Sequence, residues 1–256
     1  MNMSTQPSQS AFGTAYAVTL AMVAALLIGA VSGPVAAAPP ATAGIPSYSN
    51  LTGRVVLNDE RVLIQAFSIQ PRQSTGRHTH HDAELLVFVK GGLLKSEADG
   101  RATLWRDGRV VWLDPATSAD EGSSNAGDAP IELMEVILKP WSPAAGAASK
   151  KVDYGYLAYP NIPGEDVLEN DRVIVQRFAM NPGEWEGVHG HHPNTLYIFI
   201  KGGRWMSRTT NPPSETVGNS PDGDVAWMSA IDISAGHQSG NIGSTPSDVV
   251  WIALKK

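Results

Sequence analysis

His78-Thr-His-His-Asp-Ala-Glu84, running on through LLVFVKGG to Gly92, is met again 111 residues later as His189-Gly-His-His-Pro-Asn-Thr195, followed by LYIFIKGG to Gly203. Two histidines one residue apart share a face of an extended chain, because side chains alternate with period two. A carboxylate four residues after the second can fold back to meet them. Imidazole nitrogens with one carboxylate oxygen suit a divalent transition metal.

The repeat extends outward from this stretch. RVLIQAFSIQP, Arg61 to Pro71, aligns without gaps on RVIVQRFAMNP, Arg172 to Pro182. Trp112 matches Trp227, and Glu121-x3-Asn125-Ala-Gly127 matches His237-x3-Asn241-Ile-Gly243. Two long units of this kind mean a duplicated domain rather than a solenoid of short repeats. The chain has 7 histidines, His78, His80, His81, His189, His191, His192 and His237, and every one falls in the matched segments. Clustered histidine and glutamate form a ligand signature. His81 and His192 follow each pair and should point to the opposite face, in surface or supporting roles.

Composition removes several function classes. With no cysteine among 256 residues, disulfides, zinc–thiolate sites and thiol nucleophiles are excluded. A formal net charge of -6 argues against nucleic acid, which needs a basic face. The first charged side chain is Arg54. Before it, Thr14 to Val31 is uncharged and apolar, and small residues with A-x-A sites follow. This reads as a secretory signal cleaved after Ala43, which places the mature protein in the periplasm or outside the cell, with no stable membrane insertion. MNMSTQPSQS carries no Lys or Arg, so an uncleaved anchor competes with that reading.

Hydrophobic alternation predicts many short strands and no sustained helical period. Leu63, Phe67 and Ile69 share a face with Gln65, whose equivalent is Gln176; a satisfied core glutamine is the expected role. Leu86, Phe88, Tyr197 and Phe199 are candidates for cavity walls or for ordinary core. The proline-rich stretch Thr209 to Gly223 is expected to be a lid or surface insertion, and Pro140 to Asp153 reads as linker. The domain plan is a signal peptide at 1–43, an N-terminal unit at 44–142, a linker at 143–168 and a C-terminal unit at 169–256.

On these residues the chain resembles the cupin superfamily, in its two-domain bicupin form, with units similar to small quercetinase-like cupins. That family's first motif is Gly-x5-His-x-His, then Glu, then Gly; its second ends His-x3-Asn. The second unit matches with Gly183, His189, His191, Gly202 and His237-x3-Asn241, but has Thr195 where Glu is expected. The first unit matches with His78, His80, Glu84 and Gly91, but has Arg72 for the leading Gly and Glu121 for the second-motif histidine.

The resemblance implies an all-β chain of tandem jelly-roll barrels. It also implies metal sets of His78, His80 and Glu84 in one barrel and His189, His191 and His237 in the other. Glu121 could ligate, act as a general base, or point away. The metal would be divalent iron, manganese, nickel or zinc. The implied activity is a metal-dependent dioxygenase or other oxidoreductase acting on a small-molecule substrate; the alternative is a non-catalytic metal- or sugar-binding bicupin. A homo-oligomer is compatible with either. The second unit, with its histidine kept at 237, is expected to be the better metal site.

Overall fold

The computed structural model describes residues 48–115, 122–140 and 157–255. Strands β1 (Arg54–Asn58), β2 (Val62–Ile69), β3 (Ala83–Lys90), β4 (Gly92–Ser96), β5 (Ala102–Trp105), β6 (Val110–Leu113), β7 (Ser123–Asn125) and β8 (Ile131–Leu138) build the first barrel. Strands β9 (Gly164–Glu169), β10 (Val173–Met180), β11 (Thr195–Lys201), β12 (Gly203–Thr210), β13 (Pro213–Ser220), β14 (Val225–Met228), β15 (Gln238–Asn241) and β16 (Ser247–Leu254) build the second. Each barrel has a five-stranded sheet, in the order β1-β2-β8-β3-β6 or β14-β11-β16-β10-β9, facing a three-stranded one, β5-β4-β7 or β13-β12-β15.

The apolar runs LLVFV and LYIFI are continuous because their strands are buried on both faces. On β2, Phe67 and Ile69 point into the first barrel with Phe88, Ile131 and Leu133. Val62 and Ile64, one residue out of phase, point the other way. They join Leu85, Val87 and Val136 from the same barrel and Val173, Val175, Leu196, Ile198, Val250 and Ile252 from the second in one continuous core. The two five-stranded sheets thus pack back to back, and each buried Val, Leu or Ile contributes about 1.5–3 kcal/mol. At the edge of this seam Arg61 lies 3.6 Å over the Trp227 ring and donates from Nη1 to Asn194 Oδ1 at 2.9 Å. Trp227 Nε1 in turn donates to Asp59 Oδ2 at 2.6 Å.

Inside the barrels, matched polar residues brace matched loops. Asn125 Nδ2 donates to Ile69 O and Ala129 O, both at 2.8 Å, and Asn241 Nδ2 donates to Met180 O at 3.0 Å and Thr245 O at 2.8 Å. Gln176 is a satisfied core glutamine, accepting from Leu157 N at 2.7 Å and donating to Asp166 Oδ1 at 2.9 Å.

One boundary of the domain plan changes, and one pair of alternatives is narrowed. Residues 164–168, placed in the linker by the domain plan, belong to β9, which pairs with β10, and the preceding Leu157, Tyr159 and Ile162 are buried in the second barrel. Proline and glycine there mark a strand entry rather than a tether. The stretch from Thr209 to Gly223 takes the surface-insertion alternative: β12 and β13 pair through Thr210↔Pro213 in a long hairpin with β13 largely exposed. The signal segment 1–43 and most of the Pro140 to Asp153 linker lie outside the described residues.

Truncating Ile198 to alanine is expected to cost about 2–5 kcal/mol. Because the seam belongs to both barrels, the loss should lower one shared urea transition; two separate transitions with only one shifted would show the barrels to be energetically independent.

Candidate metal centres

The second barrel brings its three motif histidines together. The backbone does this directly: His189 N donates to His237 O at 3.0 Å across an isolated antiparallel bridge, and His191 exchanges hydrogen bonds with Ile231 at 2.9 and 3.0 Å. His189 Nε2 and His191 Nε2 lie 2.6 Å apart, and one nitrogen from each of His189, His191 and His237 falls within 4.8 Å of the others.

The tautomer of His189 follows from its partner. Its Nδ1 lies 2.9 Å from Gly187 O, a carbonyl that can only accept, so Nδ1 carries the proton and Nε2 keeps its lone pair. His78 repeats this with Gly76 O at 2.9 Å. Both glycines sit at positive φ, 71° and 83°, and a Cβ on Gly76 would come within 2.0 Å of Ser49 Oγ. Arg72 takes the place of the motif glycine at φ 66° against 83° for Gly183, so the departure from the motif leaves the turn intact.

Burial pushes His189 down to about 4 and, with repulsion from His189, His191 to about 3; it lowers His237 as well. Neutral imidazole is the form a metal requires. His237 Nε2 and His191 Nδ1 are buried without a hydrogen-bond partner. An unpartnered imidazole nitrogen at the meeting point of two other imidazoles fits a bound divalent metal.

A cavity of about 370 Å³ adjoins these histidines, lined by His237, Glu186, Phe178, Tyr197, Phe199 and Trp251 among others. Tyr197 and Phe199 therefore serve as cavity walls. In the first barrel Leu86 and Phe88 are packed core, and Trp105 stacks on Phe88 at 4.9 Å and 3°. The matching register position in the second barrel, opposite Gly203 as Trp105 is opposite Gly92, is the small Ser220.

The first barrel assembles a different set from the expected one. His80, Glu84 and Glu135 converge within 4.8 Å, and His78 stands beside this group with its ring centroid 4.9 Å from that of His80. His80 Nδ1 lies 2.5 Å from Glu84 Oε2, and Tyr48 Oη donates to Glu135 Oε1 at 2.5 Å. Glu84 Oε1 and Glu135 Oε2 are fully buried without hydrogen-bond partners. Burial raises both carboxyls above their ordinary range, and repulsion from Glu84 raises Glu135 further. Such a pair holds either a shared proton or a cation. Glu121 lies outside the described residues.

Sequence reasoning passed over Glu135, which occupies the inward face of IELMEVIL among apolar residues; its break in the inward alternation was the available signal. It also passed over Tyr48 and Tyr159. These are 111 residues apart, the offset of the histidines, and each packs its ring on the first motif histidine, at 4.2 Å from His78 and 4.5 Å from His189.

No protein-family model matches the chain, and no curated protein matches it. Among solved structures, a candidate glyoxylate-induced protein from Pseudomonas aeruginosa is 14% identical, with 83% of each chain covered and a TM-score of 0.55. Protein Ylba from E. coli is 13% identical, covering 83% of this chain and 86% of its own, with a TM-score of 0.51. A cupin 2 conserved barrel domain protein from Leptotrichia buccalis is 10% identical over 81% of this chain and 90% of its own, with a TM-score of 0.48. With strand order, duplicated motifs and converging histidines in place, the chain carries the cupin fold in two copies.

Proposed function

We propose that the second barrel is the working centre of a metal-dependent enzyme, of dioxygenase or related oxidoreductase type, that acts on a small, largely apolar organic molecule. The observation that carries this is the meeting of three buried histidines, of which His237 lines an aromatic-walled cavity. A divalent iron, manganese, nickel or zinc ion held by His189, His191 and His237 would supply a Lewis acid with open positions, and iron or manganese would add one-electron chemistry. Gly187 O fixes the His189 lone pair toward the centre. Tyr197, Phe199 and Trp251 would hold the apolar body of the substrate and exclude water. The first barrel, with Trp105 stacked in its interior, is read as a supporting copy. Export is part of the proposal, resting on the apolar run Thr14 to Val31 and the A-x-A sites after it.

The His237→Ala protein should keep its fold and lose more than about 100-fold in affinity for a divalent metal at the second barrel, since removing a ligand costs more than the 10–100-fold typical of a supporting partner. Metal analysis of protein without a histidine tag reads this. Full metal content in His237→Ala, together with complete loss in His80→Ala, would reverse the assignment of the two barrels. For export, N-terminal sequencing of protein from its native host should find a chain beginning at Gly44; a chain beginning at Met1 would favour an anchor.

A further inference from the structure

Comparison of the two barrels position by position shows an exchange. In the first, Glu84 stands four residues after His80, and Thr75 stands three residues before His78. In the second, the matching residues are Thr195 and Glu186. All four are buried. Thr75 and Glu186 do one structural task in common: Thr75 Oγ1 accepts from Ser123 N at 2.9 Å, and Glu186 Oε2 accepts from Ser239 N at 3.1 Å, capping equivalent strands. A hydroxyl suffices for that task in the first barrel. Placing a carboxylate in a desolvated wall is costly, so capping alone does not account for Glu186.

Its surroundings do. Glu186 Oε2 lies 3.7 Å from His189 Nε2, the nitrogen whose lone pair faces the centre, and Glu186 lines the same cavity as His237. Two atoms each about 2 Å from one ion are at most about 4 Å apart, so this carboxylate stands within reach of an ion held by His189. Thr195 Oγ1, at the motif position, is buried without a partner and carries no charge.

We infer that Glu186 supplies the carboxylate of the second centre, replacing the glutamate that Thr195 has displaced, so that this centre is three histidines and one acid rather than three histidines alone. The inference rests on the metal-centre reading above. It changes the chemistry expected of the site: a carboxylate beside the ion lowers its net charge by one, favours a harder divalent metal than imidazoles alone, and disfavours a dianionic ligand in the cavity.

The test uses the full chain in a His80→Ala background, so that only the second barrel is read, with cobalt(II) and manganese(II) as probes. Glu186→Gln keeps an oxygen to accept from Ser239 N, and Glu186→Thr reproduces the cap of the first barrel. Both should weaken binding of the two metals by about 10–100-fold and alter the cobalt(II) visible spectrum, with unchanged thermal stability of the metal-free protein. Affinity and spectrum unchanged in Glu186→Gln would overturn the inference while leaving the histidine centre standing. Loss in Glu186→Thr but not in Glu186→Gln would overturn it too, since that pattern reads packing and not charge. If the His80→Ala protein binds neither metal, and adding His237→Ala changes nothing, the metal centre itself is wrong and the inference falls with it.

Discussion

The back-to-back contact between the two five-stranded sheets is the constraint on which the other features depend. A strand in water on one face alternates apolar and polar residues; here the central strands of both barrels bury both faces. Val62 and Ile64 are committed to the seam with Val173, Val175, Leu196 and Ile198. Their neighbours out of phase must therefore point inward, Phe67, Glu84 and Glu135 into the first barrel and Tyr197 and Trp251 into the second. A one-residue slip in any of these strands would put a seam residue in the cavity and a site residue in the seam, so the register that buries the most apolar surface also aims the chemistry.

On that common scaffold, a few inward positions account for two unlike interiors. Glu135 and Trp251 occupy the same place, opposite Gln65 and Gln176 in the register. Glu84 and Thr195 share another, as do Trp105 and Ser220. The first barrel gains two buried acids and a stacked indole; the second gains a third histidine, a tryptophan and open space. The backbone devices did not diverge. Gly76 and Gly187 still offer a carbonyl to the first histidine, Asn125 and Asn241 still tie the same loop, and Tyr48 and Tyr159 still pack on the same ring. Orientation of the imidazole was retained while the groups around it changed, as expected where ligand geometry is held by hydrogen bonds from outside the ligand set.

The amino-acid sequence by itself determined the duplication, the all-β class, the cupin resemblance and the three histidines of the second centre. Those are legible because each is a pattern of residue type and spacing: gap-free matching from Arg61 to Gly92, period-two apolar runs, and histidines confined to the repeats. It also determined that Gln65 and Gln176 face inward, since parity along a strand needs no partner to be read. Only the tertiary structure decided which polar groups meet. Glu135 lies 51 residues beyond Glu84 and enters the first site through the β3–β8 pairing, in which Leu86 is opposite Glu135; parity along β8 sets it on the inward face, but only the pairing says which groups it meets there. His78 shares the spacing of His189, yet the first site closes around His80 and two carboxylates, because a buried acid on β8 draws its neighbours where Trp251 does not. The cap formed by Glu186 and the seam that turns Val62 away from Leu63 are of the same kind: they depend on distances between residues far apart in the chain, which folding sets and spacing does not record.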